Sequence, residues 1–440
     1  MAGDWQTLAV DEIKAPGERS IAIGPFGSRM KADVYVARGV PVIRGTNISD
    51  TRALVGHFVF VSEHTADELR ACNVYAGDLV FPHRGAIGQV AIVPNDSVER
   101  YMLSTSLMKL TCDTQHVDPQ FIFYFFRSSI GRHALLQHAS TVGTPGIGQP
   151  LTSLRSIKVP VPPLYEQRVI AHILGTLDDK IELNRRMNET LEAMARALFT
   201  SWFVDFEPVR AKAEGRDPGL PRSLADLFPD SFEDSELGEI PKGWGVGTLG
   251  DVAGHPRRGR QPNEIDPSTP YIALEHMPRR CIALSEWGAA DGLESNKFAF
   301  DRGEILFGKL RPYFHKVGVA PVDGVCSTDI VVLAPKAHEW MGFVLGLVSS
   351  DVFVEYTNAG STGTKMPRTS WTEMARYPVV LPSERIAAAF TSHARLVVDR
   401  IIAAIHESRT LAAVRDALLP KLISGELRVE DAARFVGRGN

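Results

Sequence analysis

Two stretches of this 440-residue chain carry a narrow apolar stripe at alternating spacings of four and three. In the first, Ile170, Leu174, Leu177, Ile181, Asn184, Asn188, Leu191, Ala195 and Leu198 recur in that rhythm, a heptad seam with two asparagines in it. In the second, Ile386, Phe390, His393, Val397, Ile401, Ala404, Ser408, Leu411 and Leu418 make a similar stripe with one skip near Val397. The first opens after Pro162-Pro163 and runs from Glu166 to Phe203; the second opens after Pro382 and is expected to stop at Pro420. Each predicts a helix of roughly 35–38 residues, or about 50–57 Å. So long a helix with so narrow a stripe needs a partner, and each helix is the expected partner of the other; the alternative is two ordinary core helices in separate domains. Asn184 and Asn188 on the seam would fix the register at some cost in stability.

The remainder is short β-rich runs with Gly and Pro punctuation. Val59-Phe60-Val61, Leu79-Val80-Phe81, Val90 to Val93 and Ile330 to Leu333 read as strands, and Phe121 to Leu136 as one helix. The order of these signals repeats. Trp5 faces Trp244, Gly39–Gly45 faces Ser268–Leu274, and Gly77–Phe81 faces Gly303–Phe307. Ser104-Thr105 then faces Ser327-Thr328, and Ile157–Pro162 faces Tyr377–Pro382. The chain reads as an imperfect duplication, two similar β-rich units each followed by a long helix. Such a pair held apart by a stiff rod suits B-DNA, whose turn is about 34 Å, and two different modules need no palindrome.

Composition adds little until its distribution is considered. Hydrophobic residues make up 44% and charged residues 23%, so the whole chain is neither disordered nor fibrous. No apolar run reaches the ~20 residues of a membrane span, and no signal peptide is visible, so a cytoplasmic protein without membrane contact is expected. Cys72, Cys112, Cys281 and Cys326 are too far apart for a zinc-type pair. The formal net charge of −4 looks wrong for a nucleic-acid binder. Yet Asp205 to Gly245 holds ten acidic and five basic residues and five prolines, so the rest of the chain sums to +1. That stretch reads as an exposed connector.

Catalytic motifs are missing. Gly308-Lys309 lacks the spacing and the Ser/Thr of a phosphate-binding loop, and Gly143–Gly148 reads as a flexible loop. Pro162-Pro163-Leu164-Tyr165 lacks the polar first residue of an amino-methyltransferase loop, and His133 and His138 lack a carboxylate pair. Cations and amides instead gather in a few polar loops. Phe81–Gln89 offers His83, Arg84 and Gln89; its counterpart offers Lys309, Arg311, Tyr313 and Lys316. The turn His255–Gln261 offers Arg257, Arg258 and Arg260. Ser361–Thr369, with Lys365 and Arg368, matches the position of Ser140–Gln149, with Thr144 and Gln149. Arg29, Lys31, Arg44 and Asn47 complete the candidate DNA-binding set. Arg on guanine and Asn or Gln on adenine are the bidentate pairs that read sequence, while Lys mostly meets phosphate. Tyr313 serves either as a stacking platform or as an edge aromatic.

At this point the chain resembles a specificity subunit of a type I restriction–modification system. The residues that carry this are Gly24-Pro-Phe-Gly-Ser28, Gly39–Ile48, Gly77–Phe81 with Arg84-Gly85 and Gly88, Pro160–Gln167, and Leu418–Leu427. The second unit departs in having no Gly-Pro-Phe-Gly-Ser match and Ser383-Glu-Arg385 in place of Tyr-Glu-Gln. The resemblance implies an α+β fold: two pseudo-repeated mixed α/β target-recognition domains separated by a two-helix antiparallel coiled coil. The divisions expected are domain 1 at 1–162, a central spacer helix at 163–204, the acidic connector at 205–240, domain 2 at 241–382, a second spacer helix at 383–427 and a tail at 428–440. It also implies a non-catalytic reader of a bipartite, asymmetric double-stranded DNA site. Two modification subunits would flank it, binding S-adenosylmethionine and methylating adenine, and restriction subunits would join with ATP and Mg²⁺. This chain would bind none of those cofactors. The alternatives are a methyltransferase or endonuclease with a dispersed active site, and a coiled-coil scaffold that never touches DNA.

Overall fold

The computed structural model describes residues 5–49, 51, 52, 54–140, 143–363 and 365–429. The chain divides into two compact units, one drawn from Met1–Glu182 with Thr410–Asn440 and the other formed by Leu183–Arg409. A helix of 40 residues, Leu164–Phe203, gives its first half to one unit and its second half to the other; a second helix of 40 residues, Glu384–Ile423, does the same in reverse.

In the first unit the strand order is Ile21–Ile23, Leu107–Leu110, Leu79–Pro82, Ala91–Ile92, all antiparallel. A five-stranded sheet runs Tyr35–Val36, Val59–Val61, Val40–Ile43, Tyr101–Leu103, Asn73–Val74, and its Val40–Ile43/Tyr101–Leu103 pair is parallel. A third ladder joins Gln6–Ala9 to Lys158–Val161, the strand that leads into the central helix. The second unit repeats all three. Ala253–Gly254, Ile330–Pro335, Ile305–Gly308 and Val317–Val319 form the four-stranded sheet. Pro270–Ile272 runs parallel to Gly324–Cys326 in the five-stranded one, and Gly245–Thr248 pairs with Pro378–Leu381. Single hydrogen bonds repeat as well: Ser104 N donates to Ile43 O at 2.9 Å and Ser327 N to Ile272 O at 3.0 Å, which places the two Ser-Thr signatures at one structural position. The duplication is therefore real in three dimensions.

Each unit buries its helical layer against a half of each long helix. In the first, Phe121 to Phe126 are fully buried in one cluster with Ile170, Leu174, Leu419, Leu422 and Ile423. There Glu166 meets Arg428 while Asp178 meets Arg415, so the two chain directions are opposed. In the second, Asn184 reaches Glu407 at 2.8 Å while Trp202 packs on Phe390 at 5.7 Å, again antiparallel. Both seam asparagines are buried; Asn184 also donates to Ser408, and the Asn188 amide oxygen has no partner among the described residues.

Three local expectations fail for physical reasons. The C-terminal helix passes Pro420 and ends at Ile423. The missing N–H costs about 3 kcal/mol in a helix interior, offset by burial of Leu422 and Ile423 beyond the proline. Phe121 to Leu136 is two helices, Pro119–Arg127 and Ser129–Leu136. Ser128 breaks them: its hydroxyl caps the second by accepting from Gly131 N, and a Cβ on Gly131 would lie 2.1 Å from Phe125 O. The acidic stretch 205–240 is folded rather than an exposed connector. It holds the helix Glu207–Ala213 and the hairpin strand Phe232–Ser235, and it buries Val209, Ala211, Phe228 and Ile240. Its apolar residues alternate with acids such as Glu233 and Asp234 that stay exposed, so mean composition hides an amphipathic pattern.

Candidate nucleic-acid interface

The two polar loops that stand apart in the sequence of each unit are joined in the fold. In the first unit the chain leaving Leu79–Pro82 bridges the later loop at Arg84 and Gly146. Ile147 N donates to His83 O and Gly85 N to Pro145 O, both at 2.9 Å. In the second, Leu310 bridges Arg368, Thr369 N donates to Lys309 O at 3.0 Å, and Arg311 N to Pro367 O at 2.7 Å. The register is the same in both units, so each presents one composite tip.

Backbone demand at the tips also repeats. Gly85 and Gly88 have φ of 81° and 86°; Arg311 and His315, at the corresponding places, have φ of 52° and 50°. Glycine takes this region freely, whereas a side chain there costs about 1–2 kcal/mol. The second tip holds the strain with bonds: His315 N donates to Pro312 O at 2.8 Å, and its buried ring Nε2 lies 2.9 Å from Ser349 O.

The candidate side chains divide by what they already touch. Arg29, Lys31, Arg84, Thr144, Gln149, Arg257, Arg260 and Lys365 are exposed, and Tyr313 is half-exposed beside Phe314. Asn47 is not available. It is 1% exposed, its amide donates to Val55 O at 2.8 Å, and its oxygen accepts from Arg44 N. Arg44 spends its guanidinium on His57 O at 2.9 Å, so this pair closes a loop rather than facing outward. His83 is buried with Nε2 3.2 Å from Thr105 O, and burial lowers its pKa below the usual histidine value, which leaves it neutral. Arg258 is held by Asp301 and Glu304, and Arg368 by Asp329 at 3.2 Å. Lys316 donates to Leu274 O, and Lys309 and Gln89 are half-buried.

Sequence spacing missed three cations that the fold brings together. Arg127, Arg132 and Arg415 line one cleft with Gln89, although each reads as an ordinary helix-face residue in its own segment. Among the described residues, no group of three or more His, Cys, Asp or Glu could hold a metal, and no helix is long and apolar enough to cross a membrane.

Known proteins resemble this chain over most of its length. Residues 27–193 match the domain family described as the type I restriction modification DNA specificity domain. The type I restriction enzyme MjaIX specificity subunit of Methanocaldococcus jannaschii is 26% identical over 97% of this chain and 94% of its own length. The HindI specificity subunit of Haemophilus influenzae is 26% identical over 80% of this chain and 86% of its own. Among solved structures, the type I restriction–modification S subunit from M. genitalium matches at a TM-score of 0.56 and 15% identity, covering 95% of this chain and 96% of that one, a likeness of fold.

Proposed function

We propose that this chain is a type I restriction–modification specificity subunit and that it reads double-stranded DNA through two non-identical tips, one per unit, without catalysing any step itself. The observation that carries this is the composite tip. The same backbone register occurs twice, but the bridged position carries arginine on the early loop in one unit, at Arg84, and on the late loop in the other, at Arg368, where Arg311 follows the bridged Leu310. Twin frames with donors in different places suit a bipartite site whose halves differ. Exposed Lys and Arg position the complex on phosphate and give it salt dependence; donors at the tips discriminate base edges.

Two modification subunits supply the S-adenosylmethionine chemistry on adenine, and restriction subunits bring ATP and Mg²⁺; this chain holds none of these groups. Extrusion of the target base falls to the modification subunit. The net charge of −4 supports weak DNA binding by the lone chain and tight binding by the assembly. The test is a genome-wide map of methylated adenines in cells with and without this gene. One asymmetric two-part motif should vanish with the gene; an unchanged map overturns the reading. Purified chain incubated with DNA and S-adenosylmethionine, or with DNA and Mg²⁺, should show no turnover.

A further inference from the structure

Around the second tip the cations divide by whether their donors are already spent. Arg258 is paired with Asp301 and Glu304, Arg280 with Asp351, and Arg368 with Asp329, while Lys316 donates to Leu274 O. Arg279 is different. Its guanidinium lies over the ring of Phe314, 4.1 Å from the centroid, and makes no hydrogen bond or ion pair among the described residues. A stacked guanidinium is held by its face, and its five N–H donors lie in its plane. Stacking therefore orients this group without spending a donor, and the side chain stays exposed.

The platform is itself fixed. Phe314 closes the one-turn helix Pro312–Phe314, its N–H donating to Arg311 O at 2.9 Å, and its ring meets Tyr313 edge-on at 4.7 Å. The main chain beside Arg279 is tied to the same turn: Arg280 N donates to His315 O at 2.8 Å, and the Arg280 side chain reaches Asp351 at 2.5 Å. Arg280, Arg311 and His315 all take positive φ, at 55°, 52° and 50°. Side chains stay in that region only where surrounding bonds over-determine it, and such strain gathers at ligand contacts. The turn that carries Arg279 is thus a third loop of the second tip, bonded to the loop that holds Lys309, Arg311 and Tyr313.

A planar donor fork, fixed and unspent, suits two acceptors side by side. The major-groove edge of guanine presents such a pair, O6 and N7. Phosphate oxygens are met from many directions, and the exposed Arg257, Arg260 and Lys365 of this unit can serve them. Fixed orientation is what a base edge requires. We propose that Arg279, held flat by Phe314, reads a guanine in the half-site of the second unit, with Phe314 as its positioning residue.

This deepens the DNA-reading function above and rests on it, and the test separates the two. The full chain is assembled with its modification subunits, and binding is measured to duplexes carrying its methylation motif. In turn, each guanine of the motif is replaced by 7-deazaguanine, which lacks N7, and each G·C pair by another pair. With Arg279→Ala, the penalty for replacing one G·C pair in one half should shrink roughly ten- to hundredfold, and the 7-deazaguanine penalty there should vanish, while the other positions keep theirs. Arg279→Lys, which retains the charge but not the planar fork, should recover little of this. Phe314→Leu, which retains Arg279 but removes its platform, should lose part of the same discrimination. Each value is a ratio between two duplexes bound by one protein, so a general loss of affinity cancels. If the parent complex shows no motif preference, the DNA-reading function fails. If the parent reads its motif and Arg279→Ala keeps the parent's penalties at every guanine, the assignment of Arg279 alone fails. It fails equally if Arg279→Ala weakens all duplexes alike while the slope of log affinity against log salt falls by about 1, the signature of a phosphate contact.

Discussion

The joint between the long helices and the β-rich domain is built twice in this molecule, by opposite physics. In the first unit it is a buried charge network, with Asp178 accepting from Tyr124, Arg127 and Arg415. In the second, the corresponding residues are Val398, Gly346, Ser349 and Ala195, and all four line one small cavity. Phe199 occupies the space that a side chain on Gly346 would need: a Cβ there would lie 2.2 Å from its ring. Phe199 packs in turn on Phe203 at 5.3 Å and Phe343 at 5.9 Å. A duplicated frame therefore tolerates either solution, provided the whole set changes together. A mixed set would bury a charge without a partner or force a side chain into a ring.

The largest effect should come from breaking the charged joint. Asp178→Ala leaves two guanidinium groups and a phenol around an uncharged hole, and the expected loss is about 3–5 kcal/mol, read by chemical denaturation of the full chain. Converting the entire network to an apolar set (Tyr124→Phe, Arg127→Leu, Asp178→Val, Arg415→Met) should cost less than the single change. If the fourfold variant is the less stable of the two, the joints are not interchangeable and the comparison collapses. The apolar joint is probed by Gly346→Ala. Alanine favours a helix over glycine by about 1 kcal/mol, but collision with the buried Phe199 ring should outweigh this, for a net loss of about 1–2 kcal/mol. Shrinking the ring with Phe199→Leu in the same chain should recover part of it; a stabilised Gly346→Ala would mean that the ring moves freely.

Which of these features the sequence could reveal follows from how local each signal is. Duplication was legible because the strands repeat in order and their glycines and prolines punctuate the same turns, as with Gly77–Phe81 and Gly303–Phe307. The seam asparagines were legible because a polar residue in an apolar stripe is visible in one helix alone. Asp178 was not, since it lies beside the stripe, where a carboxylate normally faces solvent, and its three partners come from segments 54, 51 and 237 residues away. The tips were half-legible. Both loops of each pair stood out by composition, but their bridging is long-range backbone bonding with no residue signature. Asn47 was misleading for the same reason: an amide able to read adenine is equally able to tie its own loop.

The tips offer the next contrast, in binding rather than stability. Arg84→Ala should relax base preference in one half of the methylated motif, and Arg368→Ala in the other, each by about 1–3 kcal/mol of discrimination. Sequencing of methylated sites from cells carrying each variant reads this directly. If either change relaxes both halves together, the units do not read separately. The effect of Arg368 should be the smaller, because Asp329 already holds it at 3.2 Å, whereas Arg84 is exposed.

The smallest expected effect concerns the one buried carboxylate at the apolar joint. Glu192 accepts from Ile282 N at 3.0 Å and from Arg196 at 2.9 Å, and it lines the same cavity as Val398 and Gly346. Burial raises its pKa above the ordinary value of 4.5 despite those bonds, because a single partly exposed arginine does not repay desolvation. For an acid whose folded-state pKa is raised, the folded form holds its proton more tightly than the unfolded one. Its stabilising share is complete below pH 4.5 and is lost as pH climbs through the raised folded value. Unfolding free energies of the parent should therefore decline over that window relative to Glu192→Gln, which carries no titrating group there. If the difference between parent and Glu192→Gln stays constant from below pH 4.5 to neutrality, the carboxylate is charged and well paired in the fold. The second joint would then be electrostatically solved, like the first, rather than apolar with one strained acid at its edge.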